Sequence, residues 1–286
     1  MTAEVITEFA AQTSIAGLCL ALELSRADYY RVRSGVAADD ADCDVREQIQ
    51  RIALEFSSYG YRPMTAELRR RGLVVNHKRV LRLMRQDNLL CLRRRAFVVT
   101  TDSAHALPVY TNLVPELSVT GLDQLWVADI TYIRLLREFI YLAVILDAYS
   151  RRCIGWALGE TLRAELAVAA LEMALETREV GPGLVHHSDR GVQYASDDYT
   201  KVLKSHGIRI SMSRRANPYD NAKAERFMRT LKEEEVYLFE YESMAEAVDR
   251  IGTFLDDVYN QKRLHSALGY VPPAEFEQSL RQPQPA

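Results

Sequence analysis

Between Leu125 and Glu160 three runs rich in β-branched and aromatic residues, LWVADITYIRL, FIYLAVILDAYS and RRCIGWALGE, follow one another with only a few residues between them. Such short connections suit strands that pair antiparallel with their neighbours in sequence, and the middle run is apolar on both faces, as a strand central in a sheet must be. After them the period changes: Leu166, Ala169, Ala170, Met173 and Ala174 recur at helical spacing up to the break at Gly181, Pro182 and Gly183. A strand GLVHHSD, a helix DDYTKVLKSHG, a short strand IRISMS and a last helix from Asn217 follow. The order βββαβαβα predicts an α/β unit, a mixed sheet with helices on both faces, which with further C-terminal helices spans residues 122–280.

At 286 residues the chain is longer than one average domain, and what precedes the strands reads as helical. A small module over residues 1–37 contains SIAGLCLALELSRADYYRVRSG, in which Ser14 and Ser25 are helix caps, Leu24 sits at a turn and Gly35 is a stop. The acidic stretch VAADDADCDVRE is a linker or the start of the next helix. Residues 45–97 repeat the pattern with clearer punctuation: Pro63 and Thr65 open a helix, Gly72 ends it and Asn76 caps the next.

Charge is segregated along the chain. From Gly60 to Phe97 eleven Lys and Arg stand against two acids, a local charge of +9 inside a chain whose net charge is -3. The second helix there sets Val80, Leu83 and Met84 on one stripe and Lys78, Arg79, Arg82 and Arg85 elsewhere, as a helix against a phosphate backbone requires. One such helix alone reads better as a solvated face. With Arg69, Arg70 and Arg71 before it and Arg93, Arg94 and Arg95 after it, the segment reads as a helix-turn-helix-like DNA-binding unit, because counterion release adds with each phosphate contacted. Residues 98–121, with Pro108 and Pro115, read as a linker. No apolar run reaches the length of a membrane span and the start lacks a signal-peptide pattern, so the expected location is the cytoplasm. Cys19, Cys43, Cys91 and Cys153 stand far apart without a CxxC pair, which argues against a zinc ribbon and a disulfide framework and for reduced, mostly buried thiols.

Asp129 in WVADITY and Asp189 in HHSDRGVQY are flanked by apolar residues, where a carboxylate is costly unless it is paired or bound to a metal. Each also has a plainer role open to it. Asp189 can cap a turn before Arg190 and Gly191, and Asp129 can meet a basic group or a strand-edge amide. The last helix, NPYDNAKAERFMRTLKEEE, carries five acids. Asn217 and Pro218 start it, and Asp220 falls in its first turn, where an acid favours the helix dipole. Ala224, Phe227, Leu231 and Leu238 make its core stripe, and Glu225 lies at the flank with Asn221, Met228 and Lys232 nearby. Glu233 points away, and Glu234 and Glu235 stand about 14 to 15 Å along the axis from Glu225, so all three read as exposed or helix-end charge. Three hard oxygen ligands from two strands and a helix suit Mg2+ or Mn2+. Two such ions about 3.5 to 4 Å apart activate a nucleophile and stabilise a leaving 3′ oxygen in an in-line phosphoryl displacement.

There are 59 residues between Asp129 and Asp189 and 35 between Asp189 and Glu225. This spacing resembles the D, D-35-E arrangement of the retroviral-integrase-like transposases. WVADITY, LDAYSRRCIGW, HHSDRGVQYAS, SMSRRANPYDNAKAERFMRTLKEE and YNQKRLHSALGYVPPAEF resemble more specifically the OrfB-type transposases of the IS-three family of bacterial insertion sequences, over about residues 45 to 277. YGYRPMTAELRRRGLVVNHKRV is similar to the helix-turn-helix that precedes the integrase core in that family.

The resemblance implies an RNase H-like core, a mixed five-stranded sheet flanked by helices, with Asp129, Asp189 and Glu225 as the catalytic, metal-binding triad. It implies that Lys232 contacts the element's terminal DNA. Asn221 supports the site or hydrogen bonds within its own helix. His187 and Arg190 touch phosphate or pack behind Asp189. Asp147, in LDAYSR, ends the second strand and makes a turn. The implied partners are DNA, as terminal inverted repeats and as target, further copies of the chain on that DNA, and the product of an upstream reading frame, separate or fused. The expected activity is metal-dependent cleavage of DNA ends followed by strand transfer. An RNase H-like nuclease without strand transfer, and a catalytically silent DNA-binding regulator derived from a transposase, are the other readings.

Overall fold

The computed structural model describes residues 14–21, 38–90, 107–214 and 221–281. The helix expected after Ser25, the run from Arg93 to Arg95, and Asn217, Pro218 and Asp220 lie outside them. Helix α1 (Ile15–Ala21) is started by Ser14, whose hydroxyl accepts from the Gly17 amide at 3.2 Å. The acidic stretch belongs to α2 (Ala38–Glu55) rather than to a linker. Then come α3 (Tyr61–Arg70) and α4 (His77–Gln86). The chain leaves α3 through Gly72 at φ 87°, a left-handed conformation that costs glycine little, and the Asn76 side chain caps α4 by accepting from the Lys78 amide at 2.8 Å. Ile49, Ile52, Met64, Leu68, Leu83 and Met84 close a core between these helices.

Strands β1 (Leu125–Arg134), β2 (Phe139–Asp147), β3 (Cys153–Gly159), β4 (Val185–Ser188) and β5 (Arg209–Met212) form one sheet in the order β3-β2-β1-β4-β5. The first three pair antiparallel, and β4 and β5 add in parallel on the free edge of β1. The all-apolar β2 is therefore interior, but the middle place falls to β1, because the later strands stack on its side. Asp129 thus sits on the central strand.

The sheet buries both faces. Trp126, Ala128 and Ile130 of β1 pack under α5 (Ala164–Thr177), the single turn α6 (Val192–Ala195) and α7 (Asp197–Ser205). Val127 and Ile133, on the opposite face, pack against α8 (Ala222–Leu231) and α9 (Met244–Thr253). Burying each large side chain in these layers contributes about 1.5–3 kcal/mol. Close approach of α5 to β3 depends on Gly155, where a Cβ would stand 2.2 Å from the Ala170 carbonyl oxygen. Helix α8 runs into a wider π turn, Lys232–Val236, which breaks the helical phase. Leu238 is consequently 51% exposed and leaves the core stripe, while Met228 is buried and joins it.

The same turn joins the two parts of the molecule. Glu234 accepts from Arg263 Nε and Nη2, both at 2.8 Å, and from the Ser58 hydroxyl. Glu235 is buried and accepts from Arg250 Nε at 3.2 Å and the Tyr241 hydroxyl at 3.2 Å. Neither is the exposed charge that the sequence suggests, because the π turn points them into neighbouring helices. Tyr59 accepts from the Leu264 amide at 2.8 Å, and Leu264 enters the core of α2 to α4. Helix α10 (Pro273–Arg281) is tied down by Glu277, 2% exposed, which accepts from Ser150, Arg152 and Arg178. Asp147 makes the turn after β2, accepting from the Tyr149, Ser150 and Asp123 amides. Cys19 and Cys153 are buried thiols and Cys43 an exposed one. Among the described residues no helix is long and apolar enough to cross a membrane.

Candidate active site

β1 and β4 pair in parallel from Leu125 opposite Val185 to Val127 opposite His187. Two residues beyond that last pair, on both chains, come Asp129 and Asp189. Residues two apart on a strand share a face, so Asp129 lies on the face of Val127, which α8 covers, and Asp189 follows the end of β4 beside it. β1 continues to Arg134, whereas the other chain turns at Asp189, whose Oδ1 accepts from the Gly191 amide at 2.8 Å. A Cβ on Gly191 would stand 3.0 Å from that oxygen, so glycine keeps the turn open. Asp189 is therefore a turn cap and a neighbour of Asp129 at once.

Asp129 Oδ1 accepts from the Ile130 amide at 2.9 Å. Burial first, and then the charge of Asp189, push its carboxyl up to about 8; Glu225 adds to the rise, and the Ile130 amide and Lys232 oppose it. Asp189, Glu225 and Lys232 thus all bear on the Asp129 carboxyl, Asp189 the most of the three. Glu225 lies in the first turn of α8, exposed, and burial raises its carboxyl while Arg229 lowers it. Lys232 sits where α8 meets the π turn, its Nζ 4.5 Å from the ring centroid of Tyr132 on β1. Burial lowers its pKa and Asp129 raises it. Among the described residues no three acids, histidines or cysteines converge closely enough to hold a metal ion. Of the other two acids Asp189 bears the more on Asp129, and Glu225 is exposed. A carboxyl raised chiefly by burial, and further by the charges of Asp189 and Glu225, is a group that a divalent cation would relieve, and the all-oxygen donor set fits a hard ion.

Residues 120–218 match the integrase core domain model, residues 206–273 a second integrase core domain model, and residues 40–97 an HTH-like domain. The insertion element IS600 uncharacterized 31 kDa protein of Shigella sonnei is 36% identical over 269 residues, covering 93% of this chain and 99% of that one. The transposase InsF for insertion sequence IS3A of Escherichia coli is 34% identical over 278 residues, covering 95% and 96%. The chain belongs to the OrfB-type transposases of the IS-three family. Among solved structures, the catalytic core domain of BIV integrase aligns at 21% identity with a TM-score of 0.42, over 55% of this chain and 95% of that one.

In this transposase Asn221 does not bond within its own helix. Its Nδ2 crosses to the Ala128 carbonyl on β1 at 3.0 Å, and its buried Oδ1 has no partner among the described residues. His187 is buried with one ring nitrogen 2.8 Å from the Ser211 hydroxyl and the other 3.1 Å from that of Ser213, so its ring packs behind Asp189. Arg190 is half-buried, and its Nε donates to the Ser213 carbonyl at 2.8 Å.

The basic helices divide into two groups. Arg79 and Arg82 of α4 both pair with Asp42 of α2, at 2.7 and 2.8 Å, and hold its carboxyl below the usual range, Arg82 most. Arg70 pairs with Glu275 of α10 at 2.6 Å. Lys78, Arg85 and Arg69 are exposed. Arg93 and Arg94 lie outside the described residues. Sequence alone does not single out Asp42, Glu275 or Tyr132. Their signal is pairing across elements, which local periodicity does not carry.

Proposed function

We propose that this transposase cuts DNA ends and joins the freed 3′-hydroxyl to target DNA, with Asp129, Asp189 and Glu225 as the metal-binding catalytic residues. The observation that carries this reading is the pair of acids two residues past the last β1–β4 pair, with Asp129 pushed up to about 8 by burial, Asp189 and Glu225. The three carboxylates would hold Mg2+ or Mn2+, two ions fitting the donor set; bound there, such ions supply charge stabilisation and activation of the attacking oxygen. The protein's own part is positioning. β1 and β4 fix two carboxylates from a rigid sheet, Asn221 fixes the start of the helix that brings the third, and Lys232 supplies a cation beside Asp129 for a phosphodiester oxygen.

Residues 45–97 are assigned to gripping DNA, through Lys78, Arg85 and Arg69, and residues 122–280 to the chemistry. Copies of the chain assemble on terminal inverted repeats and target DNA in the cytoplasm, on the nucleoid, with the product of an upstream frame as a further partner. Asp189→Asn is the test. With Mg2+, the variant is expected to lose end cleavage, and also joining when pre-cut 3′-hydroxyl ends and a target plasmid are supplied, while it still shifts DNA in a gel. Retained activity overturns the assignment, and cutting by the unaltered protein without any joining reduces it to a nuclease.

A further inference from the structure

Arg190 and Arg214 follow the carboxyl ends of β4 and β5, two adjacent parallel strands whose last pair is Ser188 with Met212. They emerge at the same end of the sheet as Asp189, and ligands of parallel sheets bind outside strand carboxyl ends. Together with the segment 109–115 the two arginines line a pocket of about 450 Å3. Its apolar side is Val109, Tyr110 and Pro115, and among the described residues no acid lines it. Asn112 also lines it. Asn112 Oδ1 accepts from the Val114 amide at 3.0 Å, and its buried Nδ2 has no acceptor among the described residues. Outside the pocket, Lys204 of α7 stands over the Tyr110 ring, its Nζ 5.7 Å from the centroid.

The walls are held by a continuous chain of hydrogen bonds. The Leu113 amide donates to the Ser211 hydroxyl at 2.9 Å, Ser211 meets one nitrogen of His187, Ser213 meets the other, and Arg190 donates to the Ser213 carbonyl. His187, two residues before Asp189, therefore braces the segment 109–115 and Arg190 together. Cations, an unpaired donor and an apolar wall beside a carboxylate that acts on phosphodiesters suit one ligand class, a nucleotide unit of DNA.

Resting on the function proposed above, we infer that this pocket holds the nucleotide flanking the bond that is cut. Its phosphate lies against Arg214, Arg190 and the Asn112 amide, and its base lies along Tyr110 and Pro115. The test scans single neutral methylphosphonate linkages along DNA around the cleavage point. Cutting of fully charged DNA by the unaltered protein comes first; its absence overturns the function and is thereby distinguished from failure of the pocket. Given cutting, one neutral linkage within a few nucleotides of the break is expected to slow the unaltered protein about tenfold, the scale of one charge-assisted contact. Arg214→Ala, at an exposed position, is expected to be about as slow on charged DNA and to lose nothing more at that linkage. Asn112→Asp, which keeps the acceptor for Val114 while placing a charge against the phosphate, is expected to behave likewise. The inference is overturned if no linkage matters, or if both variants remain as sensitive to it as the unaltered protein.

Discussion

The Nδ2 of Asn221 and the carbonyl oxygen of Ala128 meet across 3.0 Å, tying the residue that precedes α8 to the strand residue just before Asp129. The bond spans the gap between the strand that carries Asp129 and the helix that carries Glu225. Asn221→Ala is expected to lower stability by about 1 kcal/mol, the worth of one such hydrogen bond. Its larger effect is on the site: single-turnover cutting at saturating DNA should fall several-fold more than DNA affinity does. Equal losses in cutting and binding would count against a positioning role.

Asp129, with its carboxyl at about 8 against an ordinary 3.8, keeps its proton at neutral pH. Because the folded value is the higher one, this group takes stability from the metal-free fold as pH rises from about 4 to about 8. A divalent cation needs the carboxylate, so Mg2+ or Mn2+ binding at pH 7 is expected to release about one proton, with affinity rising about tenfold per pH unit between about 6 and 8. Calorimetry in two buffers of different ionisation enthalpy measures this directly. Binding without proton release would place the ion elsewhere.

His186 is fully buried, with Nε2 2.8 Å from the Tyr199 hydroxyl, and burial lowers its pKa from 6.5 to about 3. A depressed value means that its contribution is complete above about 6.5 and is lost as pH falls toward about 3, at roughly 1.4 kcal/mol per pH unit. Urea unfolding at pH 7 and at pH 5 should therefore show a drop that is about 2 kcal/mol smaller in His186→Gln than in the unaltered protein. An identical drop in both would exclude His186 as a source of acid sensitivity.

Lys78 and Arg82 lie on the same helix and are expected to fail differently. Lys78 is exposed, so Lys78→Ala should weaken binding to DNA of any sequence and reduce the salt slope of log affinity by about 1, with the urea midpoint unchanged. Arg82 pairs with Asp42, whose side chain is 8% exposed. Arg82→Ala leaves that carboxylate short of a donor and should cost about 1–3 kcal/mol of stability. The reverse pattern, in salt-titrated binding and denaturation, would reassign the DNA face of α4.

Much of this fold is written in short-range pattern. The alternation around Asp129, the apolar period of α5 and the capping Asn76 locate their elements because each signal is local. What escapes is set by contacts between distant segments. That β1 rather than β2 is the middle strand follows from where β4 docks, some 60 residues later in the chain. The inward turn of Glu234 and Glu235 follows from a π turn that a regular helical wheel does not contain. The site divides the same way. The acids are visible by spacing, but their unequal partnership, Asp189 acting strongly on Asp129 and Glu225 weakly, depends on register and on how far α8 stands from the sheet.

Glu225 and Glu234 lie nine residues apart on α8 and the π turn that follows it, one exposed beside the acids and the other clasped by Arg263 and by Ser58 of the basic helical unit. On the function proposed above, the segment would be the frame of a caliper whose two jaws are the surface assigned to DNA and the acids assigned to cutting. The stretch of duplex between the sequence held and the bond broken would then be measured by a packed protein interface and not by the slack of a tether.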